Sequence, residues 1–216
     1  MLKKVYNKMF EAYGPQHWWP GDSPFEIIMG AILTQNTNWT NVEKAISNLK
    51  EAGLLNPRGL NHIDKDQLAE LIRPSGYFNI KAKRLKAFMA FLFRHFKGDL
   101  DAMFSLNLTE IRKALLEVKG IGPETADSIL LYAGNYPAFV VDAYTKRIFS
   151  RLAILHEEHT YHQIQDYFMA HLEEDVQLYN EYHALIVRHG KEHCKTKPLC
   201  KECPLLDIPC PMGQGM

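Results

Sequence analysis

Apolar residues recur at three- and four-residue steps through most of this chain, and that rhythm leaves room for little except helices. Ser23 is followed by Pro24 and, three residues on, by Glu26, after which Phe25, Ile28, Met29, Ile32 and Leu33 keep helical spacing. A capping box with proline at the first helical position therefore opens a buried helix that ends near Gln35. Val42, Ile46 and Leu49 mark a second helix closed by Gly53; Asp64 with Gln67 opens a third through Leu68, Leu71 and Ile72, stopped before Pro74. Leu85, Met89 and Leu92 mark a fourth. Asn107 with Glu110 precedes Ile111, Leu115 and Val118, and after KGIG the pattern resumes through Pro123, Ala126, Ile129, Leu130 and Ala133. Thr160 with Gln163 starts a helix bearing Ile164, Phe168 and Leu172, and a last one runs through Tyr182, Leu185 and Ile186 toward Gly190. Only Phe139 to Val141 reads as a strand, short and isolated. The expectation is an all-α protein without internal repeats; if it has two lobes, the chain crosses between them at short loops near Asp22 and at 134–137.

Composition narrows the class. Of 216 residues, 46% are hydrophobic and 23% charged, which excludes a disordered tail protein. No run approaches the roughly 18 to 20 uncharged apolar residues of a membrane span. The opening MLKKVYNKMFEAYG carries Lys3, Lys4, Lys8 and Glu11 among its apolar positions, unlike a secretory signal. Lysine plus arginine and aspartate plus glutamate number 25 each, so any nucleic-acid face has to be local. The four cysteines, Cys194, Cys200, Cys203 and Cys210, all fall near the carboxyl end, whereas a disulfide framework joins distant parts of a chain. Their clustering points to a metal site in a reducing compartment, the cytoplasm.

Two segments carry chemistry. In LLEVKGIGPETADSIL, Gly120 and Gly122 flank Ile121 between amphipathic helices. That spacing allows a tight hairpin with positive backbone angles, Ile121 plugging the crevice below and backbone N–H groups left to grip a phosphate without lysine. An ordinary helical hairpin would use the glycines only to turn. About 20 residues later Asp142 follows three large apolar residues in FVVDAYTKRIF. A carboxylate beside low-dielectric surface is costly unless capped, paired or used, so it is an N-cap, a reactive anion, or both.

The cysteines follow C-x5-C-x2-C-x6-C, with prolines at 198, 204 and 209 stiffening the loop. Four thiolates suit either Zn²⁺ or a [4Fe–4S] cluster. Zinc sites usually pair two close knuckles across a longer gap; here one close pair exists, which favours the cluster while leaving zinc open. Lys195, Lys197 and Lys201, with Arg188 and Lys191 before them, give a modest local excess of positive charge suited to a nucleic-acid backbone or merely to solvent. The ten histidines form no recognised ligand spacing and receive no chemistry here.

Helix, GIG, helix, an aspartate and four terminal cysteines, in that order, resemble the endonuclease III superfamily of DNA glycosylases, which carry a helix-hairpin-helix and a Gly/Pro-rich loop before an essential aspartate. HWWPGDSPFEIIMGAILTQNTNW, GIGPETADSILLYA and VVDAYTKR look most like its 3-methyladenine branch. The resemblance implies a six-helix barrel lobe at 22–133, a second lobe from 1–21 and 134–216 with the cluster loop at 194–210, and double-stranded DNA with the damaged base between them. It also implies the [4Fe–4S] cluster, although the family usually spaces its ligands C-x6-C-x2-C-x5-C, so one residue is exchanged between the outer gaps.

The same resemblance distributes roles. Members that also cut the strand carry a lysine where this chain has Glu124, because strand cleavage begins with an amine attacking the sugar C1′. The implied enzyme is therefore monofunctional, with Lys119 and Lys146 as poor substitutes. Asp142 would stabilise the oxocarbenium-like sugar and align or deprotonate water. Trp18, Trp19 and Trp39 would wall the base pocket, cation–π attraction adding about 0.5 to 2 kcal/mol for a charged base and stacking about 1 to 3 kcal/mol. Packing of Trp18 or Trp19 between lobes is the plainer alternative. Glu124 would favour a cation or cap its helix. Gln35 would fill the gap left by the flipped base, Asn79 or Ile80 would wedge opposite, and Lys81, with Lys83 and Arg84, would reach phosphates. A monomer suffices for this design. The competing readings are an oxidised-pyrimidine glycosylase with lyase activity, a non-catalytic DNA-binding module, and a zinc-stabilised helical scaffold.

Overall fold

A computed structural model describes residues 1–212. In chain order the elements are α1 (Leu2–Tyr13), α2 (Pro24–Leu33), α3 (Trp39–Glu51), α4 (Pro57–His62), α5 (Lys65–Leu71), a 3₁₀ turn (Arg73–Ser75), α6 (Phe78–Phe96), α7 (Leu100–Met103), α8 (Leu108–Leu116) and α9 (Pro123–Ser128). A π turn (Ile129–Ala133), α10 (Ala143–Arg151), α11 (Tyr161–His171) and α12 (Val176–Glu192) complete them. The fold is all-α, as the periodicity implies, and among the described residues there is no strand. Phe139 to Val141 belongs to no strand or helix, and its apolar side chains are buried.

Cap chemistry sets most helix starts. The side chains of Ser23, Asn38, Asp64, Asn107, Thr160 and Asp175 each accept a backbone N–H from the first turn of the helix that follows, which satisfies donors that no helix can satisfy internally. Two short helices escape the periodicity, α4 and α7, because six and four residues are too few to repeat an apolar position more than once, and α1 escapes it as well. The two short ones nonetheless carry side-chain caps, Asn56 and Asp99. The amino-terminal helix α1, whose charges disguise it, buries Leu2, Val5 and Met9 along one face.

The chain divides into two compact units, one from Pro20 to Tyr136 and the other from Met1 to Trp19 together with the chain from Pro137 onward. In the first, α2 is the core: every residue from Ile28 to Leu33 is buried or nearly so, and α3, α6, α9 and the π turn pack around it. In the second, α12 holds that place, packed by α1 and α10. Phe139, Phe149, Phe168 and Tyr182 meet there in stacked and edge-to-face contacts, with Phe139 and Phe168 centroids 4.3 Å apart, and the Tyr182 hydroxyl donates to Leu2 O at 2.7 Å.

Candidate active site

The hairpin between α8 and α9 owes its shape to one glycine. Gly120 has φ +93°, and a Cβ there would lie 2.4 Å from Arg84 Cγ, so both the backbone angle and the close approach of α6 exclude a side chain. Gly122 differs from the expectation of positive angles: its φ is −94° and open space surrounds it, and it serves as the N-cap of α9. Ile121 is 4% exposed and anchors the turn in the core, while Lys119, Gly120 and Gly122 stay at the surface. Glu124 is exposed in the first turn of α9, where a negative charge favours the helix dipole.

Gln35, in the loop after α2, belongs to this turn rather than standing free to enter a helix. Its Nε2 donates to Gly120 O at 3.1 Å and to Thr125 Oγ1 at 2.8 Å, and its Oε1 accepts from Arg84 Nη1. Any insertion of this amide into DNA has to exchange all three bonds. The start of α6 presents Ile80, 49% exposed, and an exposed Asn79. It also presents Tyr77, 67% exposed on a left-handed backbone with φ +45°, a projecting aromatic that spacing arguments passed over.

Lys81 corrects the sequence reading. Placed among the phosphate-contacting residues, it is instead 1% exposed, its Nζ donating to Leu33 O at 2.8 Å and Ser75 O at 2.5 Å. Burial, helped by the Arg84 charge, pulls its pKa down to about 8. It ties α6 to the ends of α2 and the 3₁₀ turn, because the four-carbon stem lets an amine on an otherwise apolar face reach carbonyls that those ends leave unpaired.

Trp39 opens α3, and its Nε1 donates to Glu43 Oε1 at 2.9 Å. It lines a cavity of about 280 Å³ together with Pro20, Asp22, Glu26, Glu43 and Lys50. Lys50 bridges Asp22 at 2.7 Å and Glu26 at 2.9 Å, and with Glu43 the lining carries three carboxylates against one ammonium, which makes it net negative. Trp18 and Trp19 pack edge to face with centroids 5.4 Å apart in the other unit.

Asp142 is both a cap and a candidate anion. It N-caps α10: Thr145 N donates to Oδ1 at 2.7 Å, Thr145 Oγ1 donates to the same atom at 2.9 Å, and Thr145 Oγ1 accepts the Asp142 N–H. Oδ2 lies 3.7 Å from His183 Nε2 of α12, and 12% of the Asp142 side chain is exposed. Burial raises its pKa, but the His183 contact and the two Thr145 donors outweigh burial and leave the carboxyl below its ordinary value. His183 is the partner that sequence reasoning missed. It stands 41 residues from Asp142 in the chain, and only the packing of α12 on α10 brings the two together.

All four cysteines are free and line one cavity of about 70 Å³ in the carboxyl-terminal loop. Arg151 Nη1 donates to Cys194 Sγ at 3.3 Å, and Arg147 Nε donates to Cys194 O at 2.8 Å. Burial, with the neighbouring sulfurs, pushes the Cys203 thiol up despite the Leu205 N–H directed at it. A donor set of four sulfurs around a common hollow fits a cluster that bonds each cysteine at a separate iron. Among the described residues, no three His, Cys, Asp or Glu side chains converge as ligands of a single ion do. Lys195, Lys197 and Lys201 are exposed on the same loop.

The chain is similar to proteins of known family. The model of the HhH-GPD superfamily of base excision DNA repair proteins matches residues 29–174. A relative from Methanocaldococcus jannaschii, named "Putative DNA repair glycosylase MJ1434", is 47% identical over 210 residues, covering 96% of this chain and 95% of its own. Endonuclease III of Sulfolobus acidocaldarius is 31% identical over 185 residues, covering 85% of this chain and 80% of its own. Among solved structures, the H. pylori 3-methyladenine DNA glycosylase MagIII bound to 1,N6-ethenoadenine superposes with a TM-score of 0.74 at 33% identity, covering 88% of this chain and 95% of that one.

Proposed function

This chain belongs to the HhH-GPD superfamily of base excision DNA repair proteins, and on that premise we propose that it is a monofunctional glycosylase that hydrolyses the N-glycosidic bond of alkylated purines in double-stranded DNA. The observation that carries the reading is Asp142, a carboxylate kept ionised by Thr145 and His183 and still partly open to solvent. Departure of a base leaves positive charge on the deoxyribose. A fixed anion lowers the energy of that state, and its second oxygen can orient water for attack at C1′. N3- and N7-alkylated purines already carry a positive charge and leave as neutral bases, so no strong general acid is needed on the base side.

Two features support the alkylpurine class over oxidised pyrimidines. The second residue after the GIG turn is Glu124, a carboxylate that cannot form a Schiff base. The cavity beside Trp39 joins an indole face to an excess of carboxylates, a pairing that favours a cationic base over a neutral one. The 33% identity to a glycosylase whose name specifies 3-methyladenine points the same way, whereas the endonuclease III relative keeps the oxidised-pyrimidine alternative in view. Gly120, Ile121 and Gly122 hold the phosphate backbone in this reading, with Asn79 and Ile80 at the duplex and Gln35 released from the hairpin to meet it.

Cys194, Cys200, Cys203 and Cys210 are proposed to hold a [4Fe–4S] cluster. Such a group ties the loop into one structure and supplies a one-electron couple. Arg147 and Arg151 fix the loop's path through Cys194, Lys195 and Thr196, which sets the exposed lysines where a DNA backbone can meet them.

The deciding experiment incubates the purified protein with DNA carrying 3-methyladenine and 7-methylguanine and, separately, thymine glycol, and measures free base. Release from methylated DNA with no strand breaks and no borohydride-trapped complex is expected. Release of thymine glycol with efficient trapping would make it an endonuclease III-type lyase.

A further inference from the structure

A buried imidazole links the cysteine loop to the amino-terminal helix and takes no part in the chemistry at Asp142. His189, near the end of α12, is 2% exposed. Its Nδ1 lies 2.8 Å from the Tyr13 hydroxyl of α1, and its Nε2 lies 3.9 Å from Cys203 Sγ. The ring is held on both sides. His193 stacks beside it with centroids 5.7 Å apart, and Tyr13 is pinned in turn by Arg188, whose guanidinium sits 4.9 Å over the phenol ring and donates to Tyr13 O at 3.0 Å.

Charge decides where the protons go. A cysteine bonded to iron is a thiolate and presents only lone pairs, so the nitrogen facing it has to carry hydrogen. A neutral imidazole has one N–H. Placing that hydrogen on Nε2 leaves Nδ1 as a lone pair, which the Tyr13 hydroxyl then fills as donor. The alternative tautomer would set the Nε2 lone pair against the thiolate.

We propose that Tyr13 and His189 form a two-residue relay that keeps an Nε2–H hydrogen bond on the Cys203 thiolate and so raises the reduction potential and lengthens the lifetime of the cluster. The proposal rests on the reading of the four cysteines as cluster ligands. A hydrogen bond to a ligating sulfur disperses its negative charge, which favours the reduced state and slows oxidative loss of iron. Both are positioning residues. Tyr13 acts by fixing the tautomer, His189 by holding the donor.

The test uses the whole chain purified anaerobically, as wild type, Tyr13→Phe, His189→Leu and His189→Gln. Iron and sulfide content come first, then the potential by redox titration followed by electron paramagnetic resonance, and the Fe–S stretching frequencies in H₂O and D₂O by resonance Raman. The expected result is a lower potential in Tyr13→Phe, a larger drop in His189→Leu, and partial recovery in His189→Gln, whose amide keeps an N–H. The deuterium sensitivity of the Fe–S stretch is lost in His189→Leu, and air bleaches that variant faster than wild type. Tyr13→Phe keeps the ring and nearly all the volume, so its potential decides the matter if His189→Leu does not fold. Unchanged potentials and isotope shifts in cluster-loaded variants would overturn the relay. Wild-type protein without iron and sulfide would instead overturn the cluster assignment beneath it.

Discussion

At the scale of single residues, Asp142 and Lys81 show opposite outcomes of placing a charge at low exposure. Asp142 is surrounded by donors, so its charged form is favoured; Lys81 faces carbonyls but loses more to burial, so its charged form is disfavoured. For Asp142 the sign is that of a depressed carboxyl. Its contribution to stability is complete above the ordinary carboxylate pKa of about 3.9 and is lost as pH falls through the lower folded value. Asp142→Asn is expected to flatten that acid limb in denaturant titrations and to cut base release by about 10²- to 10³-fold, the usual cost of one preorganised charge-stabilising group, while DNA binding persists. Undiminished release would remove Asp142 from the mechanism. For Lys81 the unfolded chain binds the proton more tightly, so its contribution to stability improves as pH rises through about 8 toward the free-lysine value. Lys81→Met leaves the Leu33 and Ser75 carbonyls unpaired and is expected to cost about 1 to 3 kcal/mol. The salt dependence of DNA affinity should not change, whereas losing a true phosphate contact would reduce its slope by about one. The carboxylate was legible in the sequence because it breaks an apolar run. The burial of the lysine was not, because a cation next to Ile80 and before Lys83 and Arg84 looks like surface until the carbonyl ends of other elements are in place.

At the scale of elements, the hairpin and its brace act together. The GIG turn was readable as a turn, but its two glycines turn out to do different work. Gly120→Ala forces a side chain into a positive-φ position and against Arg84, and should cost roughly 1 to 2 kcal/mol from the backbone angle alone and weaken DNA binding. Gly122→Ala has room and an ordinary φ, so its midpoint in a denaturant titration should stay close to wild type. Equal losses for the two would mean that the turn is not anchored as described. Gln35→Ala removes the side-chain bonds from the loop after α2 to Gly120 O and Thr125 Oγ1, and is expected to speed amide exchange in the turn. Helix starts were recovered at Ser23, Asp64, Asn107 and Thr160, whereas Asn38 and Asp175 cap helices whose apolar repeats were read without their starts. Short α4 and α7 were lost for want of repeat length, not for want of caps.

At the scale of the whole molecule, zero net charge means that affinity for DNA has to come from a few placed groups, so binding should weaken with salt by only a modest slope. The proposed cluster would tie the loop that presents the exposed Lys195, Lys197 and Lys201. Oxidative removal of the cluster is expected to raise amide exchange from His189 to Cys210 and to weaken DNA binding; exchange unchanged by removal would show that the loop holds itself. The fold class, the hairpin, the four-cysteine set and the candidate carboxylate follow from the chain alone, because periodicity, caps and spacing are local properties that neighbouring residues decide. The tertiary structure alone paired His183 with Asp142, His189 with Tyr13, and Lys81 with the Leu33 carbonyl. Each joins residues far apart in sequence, and no local rule of the backbone carries information across a distance that only packing closes.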